Sequence, residues 1–356
     1  MPASSLERSS NRKRWLRSRP KFLVALSVIP STALAYAASS YVAPKAAAPT
    51  TIVYHLDGAM SASEAGVIIA LNKGYFGEAN LDVRIVEGTV KDQSTALVAN
   101  SPRAIGVASV FDFLRARAAG QRLVVFASAF TRSPITFYVR HDSNIRSIAD
   151  FVGKTVAYDA GEPAAIVFDA LLAQNRFSKS TIKEISGVRT VSALISRAID
   201  ILPGEVGQES RLLNQLGQSF DQINPDAFGL HLPGSVYFTS EDTLRNDPDL
   251  VRDFLRAVIR GWDTAYQKNV EDLRVIAAAI KIPELDAIAL TLDQQRPLLR
   301  PSGIRPAELD PVFLNSALSI LVQQRLIANV PRLADAINFE IMKDIYRSEA
   351  KRSFAN

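Results

Sequence analysis

Residues 70–88, ALNKGYFGEANLDVRIVEG, lead from the end of a helix through a glycine-punctuated turn into a strand. Gly74 suits the left-handed position that often follows a helix, because this conformation costs glycine little. Residues 81–86 largely alternate apolar and polar side chains, which is typical of a strand. Residues 51–56 read as an earlier strand, and 64–72 as the helix between the two. The stretch therefore predicts a strand–helix–strand unit with parallel strands and a right-handed crossover.

The rest of the chain continues this alternation and then becomes helical. The 356 residues are 47% hydrophobic and 22% charged, which is a globular composition with enough length for two domains. The long helix at 248–266 carries an apolar stripe that places Trp262 in the core, and Asp247 is its expected N-cap. The pattern predicts an α/β fold with mainly parallel sheets. Strands are expected at 104–109, 123–129 and 135–140, a helix at 112–119, and almost continuous helix from 248 to 350.

The amino-terminal region has the three parts of an export signal. Residues 1–38 hold seven of the 41 basic residues and one of the 36 acidic ones, so the net charge of +5 belongs to this leader. An apolar run at 22–38 follows the basic part, and small residues occupy positions 33, 35 and 37. This run is shorter than the roughly 20 residues of a membrane-spanning helix, although an uncleaved membrane anchor is the alternative. We expect a signal peptide at 1–38, a linker at 39–50, a periplasmic location and no nucleic-acid partner.

Motifs for covalent, metal or cofactor chemistry are not found in the sequence. The chain contains no cysteine, and none of its three histidines has a second ligand at metal-binding spacing. Glycine-rich phosphate loops and nucleophile elbows are also missing. We therefore expect no cofactor, no metal and no catalytic residue. The protein is expected to bind a ligand and not to be an enzyme. Scattered carboxylates at strand ends and helix starts either cap helices or meet in a cleft, namely Asp57, Glu64, Glu162, Glu205 and Glu209.

Four segments resemble solute-binding proteins of the family named for uptake of nitrate, taurine, sulfonates and thiamine-pyrimidine precursors, the NMT1/THI5-like family. They are 56–76, 106–121 (GVASVFDFLRARAAGQ), 143–157 and 209–262. The order and spacing of these segments are specific as a set, and the resemblance covers nearly all of residues 51–325.

The resemblance implies a type II periplasmic binding protein, in which two open α/β lobes are joined by a hinge of two crossings. Lobe I would comprise 51–133 and 238–345, lobe II would comprise 134–237, and 346–356 would form a tail. The crossings would lie near 132–136 and 233–238. A small solute bridges the lobes, and hinge closure buries it. The implied partner is a membrane permease of an ATP-driven (ABC) importer, and the protein is expected to be a monomer.

The resemblance also implies which residues face the cleft. Gly58 and Glu64 stand where the pyrimidine-binding branch often has a tryptophan and a histidine, so a stacking platform is replaced by a carboxylate. This favours a ligand with a hydrogen-bond donor or a positive charge, whereas Arg132 would suit an anion such as a sulfonate. Pyrimidines, sulfonates, nitrate-like anions and aromatic acids all remain open. The candidate ligand-binding residues are Asp57, Gly58, Ser61, Glu64, Thr89, Asp92, Ser109, Thr131, Arg132, Gly161, Glu162, Glu205, Gln208 and Glu209.

Two other functions are compatible with this fold. Relatives of these binding proteins include enzymes that act on pyrimidine or sulfur compounds, although those rely on a cysteine or a special histidine. A membrane-anchored sensor is the third interpretation, if the leader is not cleaved.

Overall fold

The computed structural model describes residues 48–89 and 93–353. The predicted signal peptide, most of the predicted linker, Asp92 and the last three residues of the predicted tail lie outside the described residues. Among the described residues, no helix has both the length and the apolar character to cross a membrane.

The strands form two five-stranded sheets. In the first sheet the order is β2-β1-β3-β10-β4, and in the second it is β7-β6-β8-β5-β9. The strands are β1 Thr50–His55, β2 Leu81–Val86, β3 Ala104–Ser109, β4 Leu123–Ser128, β5 Ile135–Arg140, β6 Thr155–Ala157, β7 Lys183–Ile185, β8 Ile201–Glu205, β9 Phe220–Ile223 and β10 Ser235–Ser240.

Helices flank both sheets and make up most of the described chain after β10. They are α1 Ala65–Asn72, α2 Tyr75–Glu78, α3 Ser94–Ala99, α4 Val110–Ala118, α5 Pro163–Gln174, α6 Val191–Ile195, α7 Gln208–Gln215, α8 Glu241–Asn246, α9 Pro248–Ala265, α10 Val270–Ile280, α11 Leu285–Leu299, α12 Pro311–Gln323 and α13 Glu340–Ser353.

The predicted strand–helix–strand unit is confirmed. β1 and β2 pair in parallel, with α1 between them in the chain. Gly74 has φ +73°, the left-handed conformation expected after the helix. The four-residue helix α2 follows it, where the sequence predicted only a turn.

The sheets are more mixed than the sequence predicted. β1 is parallel to β2 and β3, and β6 is parallel to β7 and β8. β10, however, is antiparallel to β3 and β4, and β5 is antiparallel to β8 and β9. β5 and β10 are the first strands after each passage between the sheets. Both therefore enter their sheet from the side of the other sheet, which reverses their direction.

The chain passes between the sheets twice. It leaves the first sheet after Ser128 and enters the second at Ile135, and it leaves the second after Ile223 and re-enters the first at Ser235. β10 belongs entirely to the first sheet, so the predicted boundary between residues 237 and 238 falls inside a strand.

Helix α9 buries the apolar stripe that the sequence predicted, including Trp262. It crosses α1 so closely that a Cβ atom on Gly261 would lie 1.9 Å from the carbonyl oxygen of Gly66, which excludes any side chain at 261. Asp247 occupies the N-cap position of α9, as predicted, but its side chain makes no capping hydrogen bond. Its carboxylate instead accepts a hydrogen bond from Arg103 Nε at 3.2 Å.

One apolar cluster contains residues of both sheets, and we call it the joint core. It combines Phe113 of α4 beside the first sheet, Phe137 of β5 and Phe168 of α5 in the second, and Leu321 of α12. Gln324, directly after α12, also donates through Nε2 to the carbonyl of Ile166 in α5 at 2.9 Å. Helix α12 therefore packs against helices that belong to different sheets.

Candidate solute-binding cleft

A cleft of about 570 Å³ lies where the two sheets face each other. Its lining comes from the loop 56–64 after β1, from the turn at the end of β3 and from residues that follow β8. A further wall is formed by Ile280, Ile282 and Ile288, together with Thr291 and Gln295 of α11. The volume is that of a site for a small organic molecule, and the carboxyl ends of parallel strands provide most of its polar groups.

Asp57 follows β1 and opens onto the cleft. One carboxylate oxygen accepts from the backbone N–H of Ser109 at 3.4 Å, and the other accepts from the hydroxyl of Ser94 at 3.5 Å. Solvent reaches the Asp57 side chain through the cleft, while protein surrounds it on the other sides, and the negative charge of Asp112 lies nearby. Together these effects raise the pKa of Asp57 to about 6, against the opposing Ser109 and Ser94 hydrogen bonds and the charge of Arg115.

Glu64 is buried at the base of the cleft. It accepts a hydrogen bond of 2.8 Å from the hydroxyl of Tyr54, a core residue of β1. Burial raises the pKa of Glu64 to about 7, although the Tyr54 bond favours the charged form. Ser61 caps the 3₁₀ helix Ala62–Glu64 by accepting from the N–H of Ser63 at 3.2 Å.

Glu205 is the last residue of β8 and stands in the cleft on the side of the second sheet. Solvent reaches its side chain through the cleft, while protein surrounds it otherwise. This environment, followed by the negative charges of Glu209 and Asp57, raises the pKa of Glu205 to about 7, and Arg189 opposes the rise. Asp57 follows a strand of the first sheet and Glu205 ends a strand of the second, so carboxylates from both sheets line one cleft.

Glu209 turns away from the cleft. Its carboxylate accepts from the backbone N–H of Glu205 at 2.7 Å, and burial raises its pKa. A Cβ atom on Gly204 would overlap the Glu209 side chain, so the strand end and this carboxylate are packed together. Glu209 therefore shapes the backbone that presents Glu205.

Arg189 and Arg211 line the cleft although the sequence analysis did not single them out. The Nε atom of Arg189 lies 3.7 Å from a carboxylate oxygen of Glu162, and Arg211 donates through Nη1 to Gln215 at 3.0 Å. Arg211 lies one helical turn after Gln208 on α7, a spacing that could have indicated it. For Arg189, which precedes α6 in a loop, the sequence carries no such signal.

Helix α11 supplies two polar residues that the sequence analysis also missed. Gln295 is 3% exposed, and its Nε2 donates to Ser63 Oγ at 3.2 Å and to the carbonyl of Val206 at 3.3 Å. Ser63 belongs to the loop after β1, whereas Val206 follows β8, so Gln295 connects the two sides of the cleft. Thr291 Oγ1 lies 3.3 Å from the carbonyl of Gly207. The helix had been interpreted only as part of the helical carboxyl-terminal region.

The predicted ligand residues divide into two groups. Those that line the cleft are Asp57, Gly58, Ser61, Glu64, Ser109, Glu205 and Gln208. Thr89, in the loop after β2, lies outside the lining, and so do Glu162 and Glu209, which contact Arg189 and Glu205 respectively.

Thr131, Arg132 and Gly161 have other contacts, which corrects their expected placement. Thr131 is buried and donates to the carbonyl of Leu299 at 3.0 Å, and the guanidinium of Arg132 lies 4.3 Å from the ring centre of Phe313. The first passage between the sheets turns both side chains towards α11 and α12. Gly161, at φ +84°, accepts through its carbonyl from Arg115 Nη1 at 2.8 Å and so joins α4 to the loop before α5.

Two five-stranded α/β sheets around one cleft are the architecture of the periplasmic binding protein fold. The periplasmic aliphatic sulphonate binding protein SsuA of Escherichia coli superimposes with a TM-score of 0.67 at 16% identity, over 82% of this chain and 92% of that protein. At this level of identity, the likeness shows the fold and no more. The predicted fold class is thereby confirmed.

The chain belongs to the NMT1/THI5-like family, whose model matches residues 61–271. A formylaminopyrimidine-binding protein of Halalkalibacterium halodurans is 24% identical over 234 residues, which cover 64% of this chain and 69% of that protein. A 4-amino-5-hydroxymethyl-2-methylpyrimidine phosphate synthase of Legionella pneumophila is 24% identical over 217 residues, 60% of this chain and 68% of that one. The family thus contains both a binding protein and an enzyme at similar distance.

Proposed function

We propose that this protein captures a small organic solute in the cleft, outside the cytoplasmic membrane, and delivers it unchanged to the permease of an ABC importer. The most direct support is that residues from both sheets and from α11 line one cleft. A ligand that touches all three stabilises a closed arrangement, which a permease can distinguish from an empty one. The SsuA-like fold and the named pyrimidine-binding relative are consistent with this role.

A second candidate is an enzyme acting on a pyrimidine or sulfur compound. The named synthase relative favours it, and so do two cleft carboxyls, Asp57 and Glu205, with pKa values of about 6 and 7. Groups with such values can transfer protons at neutral pH. Among the described residues that line the cleft, however, there is no cysteine, histidine or lysine, so the cleft offers no thiol, imidazole or amine nucleophile for covalent catalysis. The binding role is therefore our preferred proposal.

The test is equilibrium binding followed by recovery of the ligand. Pyrimidines, sulfonates, nitrate and aromatic acids are screened by thermal shift, since a bound ligand raises the melting temperature by mass action. Each hit is then titrated by calorimetry and recovered for mass spectrometry. One-to-one binding with an unaltered ligand supports the proposal, whereas time-dependent conversion of the ligand would establish the enzyme instead.

Two glycine variants make this test specific for the cleft. Gly58 lines the cleft and Gly77 lies in α2, and a Cβ atom at either position would have no neighbour within 4 Å. We expect Gly58→Trp to change affinity by about tenfold or more, and Gly77→Trp to bind as the unmodified protein does. Export is tested separately, by fractionation of cells and by mass spectrometry of the mature amino terminus.

A further inference from the structure

We infer that the cleft selects a ligand with a cationic or N–H-rich head, held between Asp57 and Glu205, on an apolar body. This inference rests on the proposed function, because it specifies the class of solute that the cleft would capture. It differs from the sulfonate named for the structural neighbour SsuA.

The first observation is that the two carboxylates reach the cleft from different sheets and have few partners. Asp57 follows β1, and its two hydrogen bonds are long, at 3.4 and 3.5 Å. Glu205 ends β8, and its carboxylate accepts no hydrogen bond within the described part of the chain, since only its backbone N–H and carbonyl are engaged. Both residues line the same cleft, and two carboxylates that face one space repel each other when ionised. A cationic group between them removes this repulsion and favours closure.

The second observation is independent of the acids. Gln295 is buried, lines the same cleft, and has one amide atom, Oε1, without a hydrogen-bond partner among the described residues. The orientation of this amide is determined by its neighbours, because the carbonyl of Val206 requires an N–H donor and so must face Nε2. Oε1 of Gln295 is therefore an acceptor that has no partner among the described residues and that the surrounding atoms screen from solvent. A buried acceptor without a partner is costly, and a ligand N–H that reached it when the cleft closes would relieve this cost.

The charged donors of the lining, Arg189 and Arg211, each have an acceptor beside them, because Arg189 lies 3.7 Å from Glu162 and Arg211 donates to Gln215. A guanidinium has five N–H donors, so one such contact does not saturate it. An anionic ligand that used these donors would still face Asp57 and Glu205, whereas a cation is attracted to both carboxylates. The isoleucines at 280, 282 and 288, together with Phe130, supply apolar walls, so amines, amidines and guanidines on an aromatic or aliphatic body fit the lining best.

The electrostatics of the cleft add a pH dependence. The net pKa of Asp57 is about 6, because its surroundings and Asp112 raise it more than Arg115 lowers it. The net pKa of Glu205 is about 7, because its surroundings, Glu209 and Asp57 raise it more than Arg189 lowers it. Both carboxyls gain charge as the pH rises through these values. Affinity for a permanent cation should therefore increase from about pH 5.5 to about pH 8.

The experiment compares three probes of one shape: benzamidine, benzamide and benzoate, which carry a positive, a neutral and a negative head on the same ring. Binding is measured by ligand-observed NMR and calorimetry at about pH 8, with probe concentrations up to about 10 mM. We expect benzamidine to bind about tenfold or more tightly than benzoate and to weaken at least about threefold at pH 5.5. Glu205→Gln and Asp57→Asn should each weaken benzamidine about fivefold or more, while Glu340→Gln, which removes an acid in α13, should have no effect.

Equal occupancy by the three probes, including none for any of them, would overturn the inference, and so would benzamidine binding that both cleft variants leave unchanged. Thermal unfolding of each variant checks that it is folded. The proposed function is tested by a different outcome. Reversible binding of benzoate or a sulfonate in preference to benzamidine would contradict only the inference of a cationic ligand head. Conversion of any bound solute would contradict the proposed function of solute delivery.

Discussion

The two sheets meet in two different ways, at the cleft and at the joint core. In the cleft, carboxylates, arginines and Gln295 face a space of about 570 Å³. In the joint core, Phe113, Phe137, Phe168 and Leu321 are all buried in one apolar cluster. Polar contacts can exchange with water at small cost, whereas apolar surfaces that separate lose contact energy and expose area. We therefore expect closure of the cleft to leave the joint core packed.

Helices α11 and α12 show the same contrast. Both follow the last strand and both contact parts of the two sheets. α11 does so through hydrogen bonds of Gln295 and Thr291 at the cleft, and α12 does so through a buried apolar face. The comparison suggests that α12 holds the sheets together, while α11 responds to how far they are apart.

The largest expected effect comes from the joint core. Leu321 of α12 is 0% exposed, so Leu321→Ala should lower the free energy of unfolding by about 2–5 kcal/mol, through lost burial and a cavity. The neighbouring Val322 is 42% exposed, and Val322→Ala should change it by no more than about 0.5 kcal/mol. Urea denaturation measures both. Equal effects of the two variants would show that α12 does not hold the sheets together.

A smaller effect is expected at Gln295. Gln295→Ala removes the donor to Ser63 and Val206 and should cost about 1–2 kcal/mol, since water from the cleft can replace part of these bonds. Gln323→Ala, at an exposed position of α12, is the control and should be near neutral. Urea denaturation again gives the values. If Gln295→Ala lowers the free energy of unfolding as much as Leu321→Ala does, the polar contacts of α11 and the apolar contacts of α12 do not differ in strength as proposed.

The third expected effect, at Glu64, is a change in how the free energy of unfolding depends on pH. Between the ordinary pKa of a glutamic acid, 4.5, and about 7, Glu64 binds a proton more readily in the folded protein than in the unfolded chain. Its contribution to the free energy of unfolding is therefore present at low pH and is lost as the pH rises through this window. Glu64→Gln should flatten this decline, because an amide cannot ionise but still accepts from Tyr54. Denaturation curves at several pH values test it, and parallel curves for both proteins would contradict it.

The smallest expected change in stability is at Arg115. Its bond to the carbonyl of Gly161 crosses from α4 to the second sheet, but the side chain is partly exposed, so Arg115→Gln should alter the free energy of unfolding by less than about 1 kcal/mol. The same change removes a positive charge that lowers the pKa of Asp57, so this pKa should rise. NMR titration of the Asp57 carboxyl measures it, with the exposed Arg274→Gln as control. If the pKa of Asp57 is unchanged in Arg115→Gln, the charge of Arg115 does not act on Asp57 and the prediction is wrong.

Much of the fold was predictable because its signals are local. The alternation at 81–86, the glycine at 74 and the apolar stripe of α9 each report on neighbouring residues of the chain, and the structure has these elements nearly where expected. The reversed direction of β5 and β10 was not predicted, since the direction of a strand depends on where the chain enters the sheet. Asp247 was correctly predicted at the N-cap position of α9, but the partner of its carboxylate, Arg103, lies far away in the chain and was not predicted.

The candidate site was predictable only in part. Asp57 and Glu205 were proposed from the family resemblance and from their positions at strand ends, and both line the cleft. Arg132 was proposed because the resemblance places it before the first crossing, where arginine would suit an anion, but its guanidinium lies over Phe313. Gln295 and Thr291 could not be found from the sequence, since they are separated from the loop after β1 by more than two hundred residues.

What the amino-acid sequence determined by itself is the α/β alternation, many of the helices and strands in their order, and the family to which the chain belongs, because these depend on periodicity and on short patterns of neighbouring residues. Only the tertiary structure decided which polar side chains share the cleft, which of them are already paired, and that α12 joins the two sheets. The physical reason is distance along the chain: burial, pairing and charge interaction arise between residues that folding brings together, and no local pattern records those contacts.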